Sequence, residues 1–105
     1  MLQVTQETRS GWCVVTVKGR ADGETADQLE TELRTVVEQH DKVAVDFSAL
    51  DYVSSAGMRA VLQAAHAAQI RKTEFAICAL SAPVKRVFDM SGLHLVVRVE
   101  EALPC

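Results

Sequence analysis

Residues 43–58 read Val-Ala-Val-Asp-Phe-Ser-Ala-Leu-Asp-Tyr-Val-Ser-Ser-Ala-Gly-Met. The run at 43–47 is short and mostly apolar, which predicts a buried strand. From Ser54 onward the pattern changes, and apolar side chains recur at helical spacing, at Met58, Val61, Leu62, Ala65 and Ala68. A strand that leads through a short loop into a helix is the repeating unit of an α/β domain.

Upstream of this stretch, two runs favour strands and one favours a helix. Residues 2–8 alternate loosely and residues 12–18 are rich in β-branched side chains, with a Ser-Gly turn signal between them, so they predict an antiparallel hairpin. Thr25 and Gln28 have the spacing of a capping box at the start of a helix. The apolar residues of that helix are Ala26, Leu29, Leu33, Val36 and Val37.

Downstream, strands and helices continue to alternate. Residues 75–80 and 95–99 predict strands, and between them lies a helix that Ser81 caps and Gly92 ends. The order is β-β-α-β-α-β-α-β, and strands joined by single helices lie parallel. We therefore expect an α/β domain with a mixed sheet of four to five strands, an initial antiparallel hairpin followed by parallel strands, packed by three to four helices.

Length and charge limit the class of protein. At 105 residues the chain has the size of one domain, so residues 1–105 are expected to form a single core. A net charge of −3 without a basic stripe argues against nucleic-acid binding. No apolar stretch reaches the roughly 18–20 residues that span a bilayer, and residues 1–5 do not resemble a secretion signal. We expect a cytoplasmic protein with no membrane or nucleic-acid partner.

The three cysteines, Cys13, Cys78 and Cys105, predict free thiols. Their number is odd, no CxxC spacing occurs, and Cys13 and Cys78 lie within apolar runs, where a buried thiol is usual. This usage fits a reducing compartment. Because His and Cys do not cluster at ligand spacing, we expect neither a metal nor a cofactor.

The loop between the buried strand and the next helix is the segment that suggests a function. Such loops, at the carboxyl ends of strands, collect functional groups in α/β sheets. Ser55 would lie at the helix N-terminus, where unpaired N–H groups and the helix dipole favour an attached phosphate. Gly57 would leave that turn open to another protein's active site. A serine here is most often a plain N-cap, and Asp46 and Asp51 could be turn residues or solvated charges.

The sequence does not favour catalysis by the chain itself. A serine hydrolase needs a histidine within hydrogen-bond reach of its nucleophile, and His66 lies about 16 Å from Ser55 along the same predicted helix. The G-x-S-x-G elbow and the glycine-rich phosphate-binding loops are missing from the sequence. We therefore expect a protein that is not an enzyme and that receives any phosphoryl group from a partner.

Three segments are similar to the anti-sigma factor antagonists, which are single STAS domains related to SpoIIAA and RsbV. Residues 19–26, Gly-Arg-Ala-Asp-Gly-Glu-Thr-Ala, resemble the family's G-x-L-D-x-x-T-A turn. Residues 50–58 resemble its phosphorylation loop, and residues 77–93 resemble the third-helix region of the sporulation antagonist. The resemblance covers nearly the whole chain and implies the STAS fold.

The family's phosphoacceptor is the hydroxyl residue that follows the aspartate of a D-S-[ST]-G loop. Alignment on Gly57 places Ser54 at the aspartate, Ser55 at the acceptor and Ala56 after it. Asp22 matches the aspartate of the family's turn, which the fold is expected to bring near the loop. The resemblance thus implies phosphorylation of Ser55 and a partner-binding surface of Asp22, Ser54, Ser55, Ala56, Gly57 and Met58.

The resemblance also implies a partner-switching cycle. The unphosphorylated chain would bind an anti-sigma factor that is also an ATP-dependent serine kinase, and so release the sigma factor. Phosphorylation would end that binding, and a PP2C-type phosphatase, usually metal-dependent, would restore it. The free protein is expected to be a monomer. The alternative is a STAS module that is not phosphorylated and serves as a scaffold or a ligand-sensing subunit.

Overall fold

The computed structural model describes residues 1–103, within which no helix has the length and apolarity needed to cross a bilayer. In chain order its elements are β1 (Leu2–Arg9), β2 (Trp12–Ala21), α1 (Ala26–Gln39), β3 (Lys42–Asp46), β4 (Leu50–Val53), α2 (Ser55–Arg71), β5 (Glu74–Cys78), α3 (Ala82–Ser91), a 3-10 turn (Leu93–Leu95) and β6 (Val99–Glu100).

The strands form one mixed sheet. Its path runs β1-β2-β3-β5-β6, and β4 pairs with the part of β2 that extends past β3. β1 and β2 form the predicted antiparallel hairpin, in register from Leu2 opposite Gly19 to Arg9 opposite Trp12. The other pairings between these strands are parallel. The predicted α/β class, a hairpin followed by parallel strands, is confirmed.

The described part of the chain has six strands rather than the predicted four to five. The additional strand is β4, which forms because β2 continues past the end of β3 and offers a partner to residues 50–53. At the other end of the sheet, the predicted strand at 95–99 is wrong over most of its length. The N–H groups of residues 95–97 bond to the carbonyls of Gly92 and Leu93, so they are not available to a strand.

The main core lies between one face of the sheet and the three helices. Side chains alternate along a strand, and those on this face include Val15, Val43, Val45 and Ile77. Phe88 of α3 meets Phe47 edge-on, with ring centroids 6.3 Å apart, and closes the core where β3 ends. The opposite face carries a smaller buried cluster beside Trp12, made of Val14, Ala44, Ala76 and Cys78.

The predicted capping box of α1 is wrong. Thr25 is the N-cap residue, but its side chain makes no capping bond to the helix. Its hydroxyl donates to the carbonyl of Arg20 at 2.8 Å and accepts the N–H of Asp22 at 3.0 Å. Gln28 donates to the carbonyl of Leu2 at 3.3 Å instead of reaching back to Thr25. Both side chains therefore fasten α1 to the hairpin.

Ser81 likewise precedes α3 without capping it through its side chain. Its hydroxyl donates to the carbonyl of Leu50 in β4 at 2.6 Å. The helix does end as predicted, with Gly92 in the left-handed conformation at φ 76°. The predicted boundary of α3 is therefore confirmed, and the predicted role of the Ser81 hydroxyl is corrected.

Candidate functional site

Ser54 and Ser55 occupy different positions at the start of α2. Ser54 is the N-cap residue, and its Oγ accepts the N–H of Gly57 at 3.3 Å. Ser55 is the first residue of the helix, and its side chain is exposed. Its hydroxyl forms no hydrogen bond with any of residues 1–103. The plain N-cap interpretation therefore applies to Ser54 and leaves the Ser55 hydroxyl uncommitted.

The backbone around Ser55 favours a negative charge. The first turn of α2 contains no acidic residue, and the first N–H groups of any helix lack helical partners. The N–H of Met58 bonds to the carbonyl of Ser54 at 2.9 Å. Within the described residues, the N–H groups of Ser55 and Ala56 remain without an acceptor. These two donors lie at the positive end of the helix dipole, in the same turn as the exposed hydroxyl.

The turn that begins at Asp22 lies beside this loop. Val53, the last residue of β4, is paired with Ala21, the last residue of β2, so the segments that follow the two strands leave the sheet side by side. The N–H of Ser54 continues the pairing by donating to the carbonyl of Ala21 at 2.8 Å. The structure therefore brings together the two segments that the resemblance implied to be neighbours.

Asp22 is held as a carboxylate by its own turn. Its Oδ1 accepts the N–H of Glu24 at 3.0 Å and that of Thr25 at 3.3 Å. Partial burial raises the pKa of the Asp22 carboxyl, but these bonds, the Thr25 hydroxyl and the charge of Arg20 outweigh that effect and lower the pKa below its usual value. Asp22 therefore orders the turn and remains ionised at neutral pH.

Gly57 faces the interior, which corrects the prediction that it keeps the turn open to an approaching partner. It is buried, and a Cβ at this position would lie 2.6 Å from the carbonyl oxygen of Ala21 and 2.9 Å from Cγ2 of Val53. The missing side chain lets α2 begin against the ends of β2 and β4. Met58 is half-buried and packs against the core, so Ser55 is the most outward-facing residue of this turn.

An aromatic ring and a guanidinium, which the sequence interpretation did not single out, lie beside the loop. Arg20 and Tyr52 are opposite each other on β2 and β4, and the guanidinium lies 4.4 Å from the ring centroid. Arg20 also forms an ion pair with Asp22, with 3.7 Å between Nε and Oδ2. Their proximity depends on the pairing of β2 with β4, and no local sequence signal reveals it.

The two aspartates of the β3–β4 region differ in role. Asp46 is a turn residue, because its Oδ1 accepts the N–H of Ser48 at 2.9 Å. Asp51 is exposed and forms no ion pair with any of residues 1–103. The sequence left open whether these aspartates are turn residues or solvated charges. Asp46 is a turn residue, and Asp51 is a solvated charge.

Other reactive groups lie elsewhere. His66 lies further along α2, and the ring nitrogens of His40 and His94 contact the carbonyls of Val36 and Phe88. Among residues 1–103, no group of three His, Cys, Asp or Glu side chains could hold a metal ion.

The two described cysteines are buried free thiols. Burial raises the pKa of the Cys13 thiol and raises that of Cys78 to about 11. Both thiols are therefore protonated and poorly nucleophilic near neutral pH. Cys105, the third predicted free thiol, lies outside the described residues.

Comparison with known proteins gives consistent matches. The STAS domain family matches residues 3–104. A protein of Bordetella bronchiseptica named as the anti-sigma factor antagonist BtrV is 34% identical over 92 residues, which cover 87% of this chain and 79% of that protein.

Three solved structures share the fold. An anti-sigma factor antagonist from Mycobacterium paratuberculosis has a TM-score of 0.84 at 24% identity, covering 98% of this chain and 88% of the other. The Bacillus protein SpoIIAA in its unphosphorylated form has a TM-score of 0.74 at 19% identity, covering 95% of this chain and 89% of SpoIIAA. Its phosphorylated form has a TM-score of 0.69 at 18% identity, covering 95% and 92%.

Proposed function

The chain belongs to the STAS domain family of anti-sigma factor antagonists, and we propose that it changes partners through phosphorylation of Ser55. In this proposal the unphosphorylated form binds an anti-sigma factor that is also a serine kinase, and the sigma factor is released. The kinase brings the ATP and phosphorylates Ser55, which ends the complex. A PP2C-type phosphatase returns the chain to its binding form. The chain itself catalyses no step.

One observation carries the choice of Ser55 as the acceptor. Its hydroxyl is exposed and uncommitted, whereas the adjacent Ser54 hydroxyl is occupied in capping α2. A kinase can therefore remove the Ser55 proton without breaking a bond that holds the helix. SpoIIAA, which is similar in fold, has been solved in both unphosphorylated and phosphorylated forms.

The same position explains how the phosphorylated chain would stay folded. The phosphate oxygens would accept hydrogen bonds from the free N–H groups of Ser55 and Ala56. The phosphate would also lie at the positive end of α2, where anions are favoured. It would add about −1.5 to −2 charges at pH 7. In a complex this charge would be desolvated and placed near partner groups arranged for a neutral hydroxyl, and both effects would weaken binding.

The proposed partner surface consists of the loop and the turn beside it. Asp22, Ser54, Ser55, Ala56 and Met58 present exposed or half-buried atoms there, and Gly57 acts by letting α2 approach β2. The Arg20–Tyr52 pair extends this surface along β2 and β4. Tyr and Arg are among the residue types that are enriched in the energetically dominant positions of protein interfaces.

The proposal is tested by phosphorylation with the cognate anti-sigma factor and ATP, read by intact mass. We expect one phosphate on the natural chain, none on Ser55→Ala, and one on Ser54→Ala, which loses the cap and keeps the acceptor. A full adduct on Ser55→Ala would place the site elsewhere. No adduct on any of the three chains would favour the alternative, a STAS module that is not phosphorylated.

A further inference from the structure

The hydroxyl of Ser81 is diverted from its local role. Serine is favoured at the N-cap because its side chain can accept an N–H from the first turn of the helix. Ser81 has the extended backbone of an N-cap residue, and its carbonyl accepts the N–H of Lys85 at 2.8 Å. Its Oγ, however, donates to the carbonyl of Leu50 at 2.6 Å, 31 positions away in the chain.

The acceptor of this bond is the first residue of β4, a short strand whose Leu50 and Val53 side chains are buried in the core. β4 has four residues, pairs only with β2 among the described strands, and has an irregular register opposite Gly19 and Arg20. So short a pairing is marginal without support from packing or side chains. The N–H of Leu50 bonds to the carbonyl of Phe47 at 3.1 Å, and the same carbonyl accepts the N–H of Ser81 at 3.4 Å. This backbone bond ties Ser81 to the turn before β4, whereas the Ser81 hydroxyl bonds to β4 itself.

β4 leads directly into the loop that carries Ser54 and Ser55. The Ser81 hydroxyl therefore holds the start of β4, and the bond from the Ser54 N–H to the Ala21 carbonyl holds its end. The hydroxyl of Ser81, the residue that precedes α3, forms a side-chain hydrogen bond to Leu50. It joins the start of α3 to the loop from the side opposite β2.

We propose that Ser81 is a positioning residue for the Ser54–Ser55 loop. Its hydroxyl fixes the start of β4 and thereby the place at which the Ser55 hydroxyl is presented to a partner. The role of that presentation rests on the proposed function, whereas the tether itself is a property of the free chain. The two are separated by measuring the tether without any partner.

Amide hydrogen exchange on the free chain tests the tether. In Ser81→Ala the amides of Leu50 and Ser54 should exchange about tenfold faster, the size expected for the loss of one hydrogen bond of ordinary strength, while that of Val45 in β3 changes less. Ser81→Thr, which keeps a hydroxyl, should stay close to the natural chain. Ser91→Ala is the matched control, because Ser91 also donates to a backbone carbonyl, that of Phe88 at 3.1 Å, at the far end of α3.

Phosphorylation kinetics test the function of the tether. With the anti-sigma factor kinase, Ser81→Ala should raise KM about three- to tenfold with a smaller change in kcat, and Ser81→Thr should restore KM. Unchanged exchange at Leu50 and Ser54 in Ser81→Ala would overturn the tether. Faster exchange with an unchanged KM would overturn the positioning role. If the natural chain takes no phosphate, the proposed function fails, and the exchange rates still decide the tether.

Discussion

The two ends of the parallel strands use their polar groups differently. Where β3 and β5 begin, Lys42 and Arg98 both pair with Glu74, at 4.0 and 3.8 Å, and both cations lie over the ring of Trp12, at 5.8 and 5.7 Å. At the opposite end, the Ser55 hydroxyl and the N–H groups of Ser55 and Ala56 have no partner within residues 1–103. One end satisfies its own charges, and the other keeps donors and a hydroxyl available to another molecule.

The comparison shows why a count of polar residues does not locate a site. Both ends carry charged side chains, but the exposed ion pairs of the Trp12 end contribute only about 0–1 kcal/mol each and leave few groups for a ligand. The Ser55 end is defined by a cap that Ser54 supplies and by a helix that begins against β2. Availability of hydrogen-bonding groups distinguishes the two ends.

Phosphorylation of Ser55 should produce the largest effect and should act at one end only. We expect the affinity for the anti-sigma factor to fall by about 30- to 150-fold, which corresponds to about 2–3 kcal/mol. The reason is the added charge, which the complex would desolvate and place near partner groups arranged for a neutral hydroxyl. Ser55→Asp should cause part of this loss, because its carboxylate has less charge and fewer oxygens. Calorimetric titration measures each affinity.

Trp12→Phe is the control for this measurement and should bind the anti-sigma factor as the natural chain does. Ser55→Asp should also keep or slightly raise the free energy of unfolding, because an acidic residue in the first turn of a helix contributes about 0.3–1 kcal/mol. Equal affinities for the phosphorylated and unphosphorylated chains would end the switch hypothesis.

Gly57→Ala should have the next largest effect, on stability. The new Cβ would lie 2.6 Å from a backbone oxygen of β2, which cannot move without shifting the strand. We expect the free energy of unfolding to fall by about 1–3 kcal/mol, the usual cost of overpacking. At the other end, Glu74→Gln breaks exposed pairs and should cost less than about 1 kcal/mol. A larger loss in Glu74→Gln than in Gly57→Ala would contradict the comparison of the two ends.

Urea unfolding followed by the fluorescence of Trp12, the one tryptophan of the chain, gives both free energies. The reporter is suited to the comparison because its ring contacts the charges at its own end, and because Trp12 and Ala21, against which Gly57 packs, are the first and last residues of β2.

The elements that local hydrophobic periodicity and turn residues determine could be predicted from the sequence. Those that depend on partners distant in the chain were missed. The hairpin, the three helices and the start of α2 at Ser55 follow from local spacing and turn residues. β4 was missed because it exists only as a partner of β2. The 3-10 turn was missed because the apolar residues at 95–97 are typical of a strand. Only the structure shows that their N–H groups bond locally.

The positions of the candidate site's residues could be predicted from the sequence, but their tertiary contacts could not. The position of Ser55 and the proximity of the Asp22 turn followed from the helix signal and from the family resemblance. The sequence could not show that Ser54 takes the cap, that Gly57 faces inward, or that the Thr25 and Ser81 hydroxyls bond elsewhere. A capping motif names a possible local acceptor or donor, and the tertiary structure decides whether a better one is within reach.

The smallest expected effect is the structural response of the free chain to phosphorylation. The phosphate would meet N–H groups and a helix dipole that are already in place, so the fold need not rearrange to receive it. Amide NMR shifts should therefore change at the start of α2, in β4 and in the turn at Asp22, while the Trp12 indole signal stays where it was. Changes that reach Trp12 would mean that the two ends are coupled through the sheet, and that phosphorylation acts by altering the fold. Shifts confined to the Ser55 end, together with the loss of affinity, would place the switch in the interface itself, because the free chain would then be nearly the same in both forms while only its complex is weakened.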